Sequence, residues 1–184
     1  NQPLANNLVK EKNIKQKKFP LKILFCKVCK AVQLSETVNP NILFKKYFWT
    51  TSTSSTAKKF SIKFYKEIID LKNNEKPLVV EIASNDGTFL VPFQNKGYEV
   101  IGVDPAKNIS KIANKKKIPT INSFFDLKTS NIIKNNYRKA DIIFARNVIA
   151  HVKNIHELIK ASSNLISKNG IFAVEFHYAK KILD

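Results

Sequence analysis

From Leu78 onward, apolar runs alternate with longer amphipathic segments, and this alternation is the strongest structural signal in the sequence. The runs are short and rich in β-branched residues, which is typical of strands that are buried on both faces. Because segments of helical length separate them, the strands should be parallel and joined by right-handed crossovers. The predicted fold class is therefore α/β, with strands at Leu78–Ser84, Glu99–Asp104, Pro119–Asn122, Asp141–Ala145 and Ile171–Phe176.

Two helices have ends that the sequence defines. Apolar residues at helical spacing predict an amphipathic helix at Ala57–Lys72, preceded by a Ser/Thr cluster that can cap it. A second helix is predicted at Ile155–Lys168, with Asn154 as its N-cap and Glu157 completing a capping box. Gly170 should end this helix, because glycine is common just after a helix C-terminus.

The N-terminal part of the chain has a different pattern, with little helical periodicity. Leu21–Phe25 and Val32–Leu34 predict two short strands on either side of Cys26-Lys27-Val28-Cys29. The sequence therefore divides into a small module, a helix with a linker, and an α/β domain, at residues 1–56, 57–77 and 78–184.

The turn after the first predicted strand carries acids where a dinucleotide-binding site would carry glycines. Pyrophosphate binding uses G-x-G-x-x-G, but the turn here reads Ala83-Ser84-Asn85-Asp86-Gly87 and follows Glu81. Two carboxylates would repel a pyrophosphate and would suit a ligand with a cationic centre and an ammonium group. S-adenosylmethionine fits that description. The alternative is an ordinary buried strand and turn of some other α/β protein.

Asp104 ends the second predicted strand, one βα unit after this turn. A carboxylate at that position can accept hydrogen bonds from two ribose hydroxyls. The same side chain could instead cap a helix at Pro105–Asn114. Both interpretations are open at the level of sequence.

Seven segments, in order along nearly the whole chain, resemble the sugar C-methyltransferases that act on nucleotide-linked 4-keto-6-deoxyhexoses. They are PLANNL, FPLKILFCKVCKAVQL, NILFKKYFWTTSTSS, EIASNDGTFL, GVDPAKNISKIA, ARNVIAHV and VEFHY. The resemblance implies a class I, Rossmann-like fold that uses S-adenosylmethionine, a zinc-ribbon-like module in front of it, and methyl transfer to a sugar carbon beside a ketone. A sheet of that class has seven strands, so we expect the domain to be incomplete at its C-terminal end.

The turn and the resemblance together indicate a cofactor site, and the resemblance adds an acceptor site. Tyr47 matches a tyrosine that reaches from the zinc module to the sugar, and His151 matches an active-site histidine, with packing or capping as the alternative role. His156 and His177 are weaker candidates. The family takes its base from a Tyr-His-Glu-His segment after the fifth strand, so we expect this chain alone to be inactive. The candidate cofactor-binding residues are Glu81, Ala83, Ser84, Asn85, Gly87, Asp104, Pro105, Asn108, Phe125 and Asn147.

The two cysteines have the spacing of half a tetrahedral zinc site. Cys26 and Cys29 are the only cysteines in the sequence, and Lys30 stands where glycine commonly follows such a knuckle. In the resembled family a second cysteine pair lies upstream, so we expect structural zinc in the full-length protein. A redox C-x-x-C would need a strand-to-helix context that is not predicted here.

The net charge of +18 raises the possibility of nucleic-acid binding. Nearly all of the basic residues are lysines, because only Arg138 and Arg146 are arginines, and phosphate-binding surfaces favour arginine forks. We therefore expect no nucleic-acid binding. The resemblance implies an enzyme that acts on a nucleotide sugar, and we expect it to be a cytoplasmic monomer that does not bind membrane. The alternatives are an O- or N-methyltransferase and a basic zinc-ribbon protein. Because the sequence contains no methionine, we expect it to be a fragment.

Overall fold

The computed structural model describes residues 1–4, 8–9, 11, 14–71 and 76–178. Its N-terminal part contains two small antiparallel sheets, one of β1 (Gln2–Pro3) with β2 (Lys18–Phe19) and one of β3 (Ile23–Phe25) with β4 (Val32–Leu34). The second sheet confirms the two strands predicted around the cysteines. Part of the PLANNL segment lies outside the described residues.

Two helices link this part to the large sheet. They are α1 (Pro40–Phe44) and α2 (Ser55–Asp70), with a single 3-10 turn at Thr51–Thr53 between them. Ser54 caps α2, because its side chain accepts a hydrogen bond of 3.1 Å from the backbone N–H of Ala57. The predicted helix is confirmed, although it ends at Asp70, and Lys72 lies outside the described residues.

A parallel sheet of five strands forms the centre of the remaining chain, as the apolar runs predict. The strand order is β7-β6-β5-β8-β9, so the order reverses between β5 and β8. Ligands of open α/β sheets bind beyond the carboxyl ends of the strands at such a reversal. The elements are β5 (Leu78–Ile82), α3 (Val91–Gln94), β6 (Glu99–Val103), α4 (Lys107–Lys115), β7 (Thr120–Ile121), α5 (Leu127–Asn136), β8 (Ala140–Arg146), α6 (Ile155–Leu165) and β9 (Ile166–Glu175).

The hydrophobic core lies on both faces of this sheet. On one face, Phe64 of α2 packs edge-on against Phe144 of β8, with the ring centres 5.0 Å apart. On the other face, Leu158 and Leu165 of α6 pack with Ile143 in a second buried cluster. Helix α2 is therefore part of the same core as the strands.

The sixth helix ends earlier than the sequence predicts. Asn154 caps it by accepting a hydrogen bond of 3.2 Å from the N–H of Glu157, which confirms the predicted start. The predicted end at Lys168 is wrong, because Ile166 already pairs with Ala140 and begins β9. Gly170 lies inside that strand, where a register irregularity accommodates the extra residues and a Cβ would collide with Ile166.

Among the described residues, no helix is both long and apolar enough to cross a membrane.

Candidate active site

A cleft with a volume of about 820 Å³ lies at the carboxyl ends of β5, β6, β7 and β8. The loops that follow these strands form its floor and sides. The remaining wall is residues 39–54, the segment that runs from the N-cap of α1 to the N-cap of α2, which we call the strap. Four of the strap's side chains that line the cleft are Leu43, Phe44, Tyr47 and Trp49.

The floor of the cleft contains buried polar atoms that lack a partner. Oε2 of Glu81 and Oγ of Ser84 are the two buried side-chain oxygens or nitrogens without a hydrogen bond in the part of the chain that the structure describes. Burial raises the pKa of Glu81 well above its ordinary value, although the charge of Arg146 acts in the opposite direction. Unpaired buried polar atoms are costly, so both are candidates for contact with a bound ligand.

Asp104 joins the two loops that form the floor. Its Oδ2 accepts a hydrogen bond of 2.9 Å from the backbone N–H of Asn85, and its Oδ1 accepts one of 2.8 Å from Ala106. Burial raises the pKa of Asp104, while these two bonds act to lower it. Each carboxylate oxygen has a second lone pair, so the side chain holds the loops together and can still accept hydrogen bonds from ribose hydroxyls. It is not the N-cap of α4, a position that Ala106 occupies.

The side chain of Asn85 binds the strap. Its Oδ1 accepts a hydrogen bond of 2.9 Å from the N–H of Thr51, and its Nδ2 donates one of 3.2 Å to the carbonyl of Trp49. Asn85 also lines the cleft, and its φ of 51° is in the left-handed region that asparagine tolerates. Ala83, with a φ of 54°, lines the cleft beside it.

Asp86 and Gly87 do not line the cleft, which changes the interpretation of the turn. The carboxylate of Asp86 is fully buried and forms an ion pair of 2.7 Å with Lys116. Burial alone would raise the pKa of Asp86, but hydrogen bonds from Lys116, Ser52 and Thr88 hold it below its ordinary value. Asp86 therefore anchors the turn and is not available to a cationic ligand.

Gly87 is required by packing. Its φ is +77°, and a Cβ at this position would lie 2.7 Å from Cγ2 of Ile118. Gly87 is not among the residues that line the cleft. The predicted contact of Gly87 with cofactor therefore does not follow from this structure, whose turn needs glycine for a steric reason.

Asn108 also has a role that differs from the predicted one. Its side chain lies on the first turn of α4 and bonds both backbone groups of Tyr47, accepting from the N–H at 3.1 Å and donating to the carbonyl oxygen. Asn108 does not line the cleft, whereas Tyr47 does. In the structure Asn108 therefore holds the strap and does not face the cofactor space.

Four further predicted residues do line the cleft, namely Pro105, Phe125, Asn147 and His151. Pro105 and Phe125 lie on its sides, and the neighbouring Phe124 lines it too. His151 lies on a 3-10 turn after β8, with its ring centre 6.4 Å from that of Phe44 in the strap. Two weaker candidates, His156 and His177, are exposed and are not among the lining residues.

Sequence reasoning missed the charged group at the tip of β8. The guanidinium of Arg146 forms a bidentate ion pair with Glu175 of β9, at 3.0 Å from Nε and 2.8 Å from Nη2. It also lies over the ring of Phe89, and its side chain lines the cleft. Asn147 follows with a φ of 54° and donates to Glu175 through its backbone at 2.7 Å. The available signal was that Arg146 is one of two arginines in a lysine-rich chain.

The cysteines form a knuckle at the end of β3. The backbone N–H of Lys30 donates to the carbonyl of Cys26 at 2.9 Å, and Lys30 has a φ of 61°. This explains why glycine is common at that position. Hydrogen bonds from the backbone of Cys29 and Val28 lower the pKa of Cys26, which favours the thiolate that binds metal. Two ligands are present, and no cluster of three or more potential metal ligands occurs among the described residues.

The comparisons with known proteins agree with this geometry. Residues 56–181 match the family model described as "Methyltransferase domain". The chain belongs to that family. The methyltransferase domain has the class I, Rossmann-like fold of S-adenosylmethionine-dependent enzymes. A SAM dependent methyltransferase from Archaeoglobus fulgidus superimposes with a TM-score of 0.52, at 16% identity over 62% of this chain and 51% of that chain. Residues 1–44 match the model described as "Putative zinc binding domain".

Two curated proteins extend the likeness. "C-methyltransferase NovU" of Streptomyces niveus is 30% identical over 188 aligned residues, which cover 98% of this chain and 44% of that protein. "Ubiquinone biosynthesis O-methyltransferase" of Pelagibacter ubique is 28% identical over 127 residues, or 61% of this chain and 50% of that protein. The methyltransferase domain and the module before it thus span about half the length of the curated relatives they match.

Proposed function

We propose that this chain carries the S-adenosylmethionine-binding part of a C-methyltransferase whose acceptor is a nucleotide-linked 4-keto-6-deoxy sugar. The observation that carries the proposal is the shared cleft. Tyr47, on the strap at the end of the N-terminal module, lines the same space as Glu81 of β5 and Asp104 after β6. A methyltransferase that needed only the α/β domain would not need this strap in its acceptor site.

The residues of the cleft fit the cofactor. The unpaired Oε2 of Glu81 and Oγ of Ser84 can accept hydrogen bonds, and the buried acid suits a cationic ligand. Asp104 can accept from ribose hydroxyls, and Phe125 offers an apolar wall for an adenine ring. S-adenosylmethionine, when bound, supplies an electrophilic methyl group on a sulfonium.

The residues of the acceptor side then have defined tasks. A base must remove a proton from the carbon beside the ketone, leaving the electron pair of the C–H bond as an enolate. Bound S-adenosylmethionine would supply the methyl group for the new C–C bond at that carbon, and its sulfur would take the electrons of the broken S–CH₃ bond. Tyr47 and His151 line the cleft and can donate hydrogen bonds to the enolate oxygen. Their hydrogen-bond donors make them the candidate catalytic residues of this chain.

The extent of the likeness supports carbon over oxygen as the acceptor atom. The C-methyltransferase relative aligns over 98% of the chain, which includes the strap and the cysteine knuckle. The O-methyltransferase relative aligns over 61%. An O-methyltransferase that uses the same cofactor cleft is the second candidate function.

Deuterium exchange separates the two functions. The protein is incubated in D₂O with S-adenosylhomocysteine and thymidine diphosphate-4-keto-6-deoxyglucose, beside a blank without protein. A C-methyltransferase must break the C–H bond, so the sugar should take up deuterium faster than in the blank. An O-methyltransferase has no reason to do so. Mass spectrometry measures the deuterium content of the sugar, both with the 184-residue chain and with the full-length product of its gene. In a second incubation S-adenosylmethionine replaces S-adenosylhomocysteine, and the methylated sugar is detected by the same method.

The proposal extends to metal, partners and location. The knuckle of Cys26 and Cys29 would hold structural zinc together with two further ligands, and the protein would be a cytoplasmic monomer that binds neither nucleic acid nor membrane. The match of the cysteine region to a zinc-binding family model supports the metal. The scarcity of arginine among the basic residues supports the exclusion of nucleic acid. A DNA-binding assay at rising salt tests this, because phosphate contacts give steep salt dependence.

A further inference from the structure

One side chain fixes the backbone of the candidate catalytic tyrosine from both sides. The carboxamide of Asn108 accepts from the N–H of Tyr47 at 3.1 Å and donates to the carbonyl oxygen of the same residue. The two residues are 61 positions apart in the sequence. A third bond, of 3.3 Å, runs from the N–H of Lys107 to the carbonyl of Lys45. The first turn of α4 is thus joined to the strap where Tyr47 enters the cleft.

The place of Asn108 in the fold links Tyr47 to the cofactor loops. Helix α4 begins just after Asp104 and Pro105, which line the cleft. Asp104 also bonds the N–H of Asn85, whose side chain bonds the strap beyond Tyr47. The backbone of Tyr47 is therefore held in position relative to Asp104, and Tyr47 lines the cleft from there.

We propose that Asn108 is a positioning residue for Tyr47 in methyl transfer. This inference rests on the proposed function of the cleft. Asn108 itself touches neither cofactor nor acceptor, because it does not line the cleft. It acts by keeping the tyrosine hydroxyl where an enolate oxygen forms, and small displacements of such a group are costly in rate.

The chain contains a matched control on the same helix. Asn114, near the end of α4, accepts a hydrogen bond of 3.0 Å from the N–H of Thr120 and donates one of 2.9 Å to the carbonyl of Thr120. This bridge is chemically the same as that of Asn108 with Tyr47. Neither Asn114 nor Thr120 lines the cleft. Asn114→Ala thus removes an equivalent pair of bonds, together with a bond of 2.9 Å from Asn114 to the carbonyl of Ser110 on the same helix, without touching the strap.

The kinetic test uses the full-length product of the gene with S-adenosylmethionine and thymidine diphosphate-4-keto-6-deoxyglucose. We expect Asn108→Ala to lower kcat/KM for the sugar about tenfold, since two hydrogen bonds are lost. The KM for S-adenosylmethionine should change less than about twofold, and Asn114→Ala should leave the sugar kinetics within about twofold of wild type. In a Tyr47→Phe background, the further effect of Asn108→Ala should fall below about twofold, because the group it positions is gone.

The fluorescence of Trp49 provides a test of the inference that does not depend on enzymatic activity. It is the one tryptophan of the sequence, and it lies on the strap two residues after Tyr47. Its side chain is 43% exposed. Releasing the strap should expose it further, so acrylamide should quench its fluorescence more strongly in Asn108→Ala than in wild type or in Asn114→Ala. Thermal unfolding of the two alanine variants verifies that both are folded.

The outcomes separate the inference from the proposed function. Equal quenching and equal sugar kinetics in Asn108→Ala and Asn114→Ala, with an active wild type, would overturn the inference alone. Effects of Asn108→Ala and Tyr47→Phe that multiply in the double variant would also overturn it. A wild type that methylates no sugar would remove the proposed function, and the positioning role with it.

Discussion

The guanidinium carbon of Arg146 lies over the Phe89 ring, 3.3 Å from its centre, while the same group is paired with the carboxylate of Glu175. Phe60 and Phe64 of α2 lie within 5.6 Å of the same guanidinium carbon. This cation thus lies near three aromatic rings as well as its carboxylate. A lysine could satisfy the charge but could neither stack flat nor donate two parallel bonds.

We therefore expect Arg146→Lys to lower the free energy of unfolding by about 1–3 kcal/mol. Urea denaturation measures this. The control is Arg138→Lys, since Arg138 is paired with Asp141 but is 42% exposed, and it should lose less. Equal losses would mean that the stack on Phe89 adds nothing measurable.

Glu81 should make stability depend on pH. Burial raises its pKa, so the folded protein favours the protonated carboxyl, and the stability linked to this group is fully present below the unfolded pKa of about 4.3. That stability is lost as the pH rises through the higher folded pKa. Glu81→Gln should therefore be more stable than wild type at neutral pH and should lack this decline, as measured by urea denaturation across the pH range. Glu67→Gln, an exposed change on α2, should retain it.

The same Glu81→Gln variant should bind S-adenosylmethionine about tenfold more weakly, because it offers a cationic ligand no negative charge. Isothermal titration of the folded variant measures the affinity. Suppose that Glu81→Gln removes the decline of stability with pH but leaves the affinity for S-adenosylmethionine unchanged. Glu81 would then not belong to the cofactor site, and its burial would have no functional reason.

Gly87 and Gly97 form a natural pair for separating backbone strain from collision. Both have positive φ, +77° and +80°, but an added Cβ at Gly87 would meet Ile118 at 2.7 Å, whereas nothing lies within 4 Å at Gly97. Gly97→Ala should cost about 1 kcal/mol for backbone strain. Gly87→Ala should cost about 3 kcal/mol or more. Chemical denaturation gives both values, and equal losses would show that Ile118 moves aside without cost.

The knuckle predicts a metal content that mutation can test. The full-length product of the gene should carry about one zinc per chain, and Cys26→Ser should remove it, because a tetrahedral site fails when a thiolate is lost. Lys30→Gly is the contrasting change. Its φ of 61° suits glycine, so zinc should be retained and stability should rise by a few tenths of a kcal/mol. Elemental analysis decides, and zinc in the serine variant would exclude Cys26 as a ligand.

The fold could be predicted from sequence because local patterns carry it. The buried strands appear in the sequence as apolar runs, and Asn154, as an N-cap residue, predicts the start of α6. The end of α6 could not be predicted in this way, since Ile166 leaves the helix only because Ala140, across the sheet, offers strand pairing. Helix propensity depends on the local sequence, and it therefore does not include the pairing of Ile166 with a distant strand.

The residues of the candidate site also fall into those that could be predicted from the sequence and those that could not. Glu81, Asp104 and Tyr47 could be assigned to the site from their places at the ends of strands or in a resembled segment, and they line one cleft. The bonds from Asn85 and Asn108 to the strap could not be predicted, because their partners lie 34 to 61 residues away in the sequence. An asparagine after a strand looks the same whether it faces a cofactor or a neighbouring backbone.

The strap has a consequence for anyone who exchanges N-terminal modules between related enzymes. Its residues Trp49, Thr51 and Ser52 bond directly to Asn85 and Asp86, which belong to the other half of the chain. A chimera joined just before α2 would bring a foreign strap against these native partners. A junction ahead of residue 39 would keep each bond with its own partner. The suitable junction for exchanging modules therefore lies upstream of the strap, between the end of β4 and the start of α1.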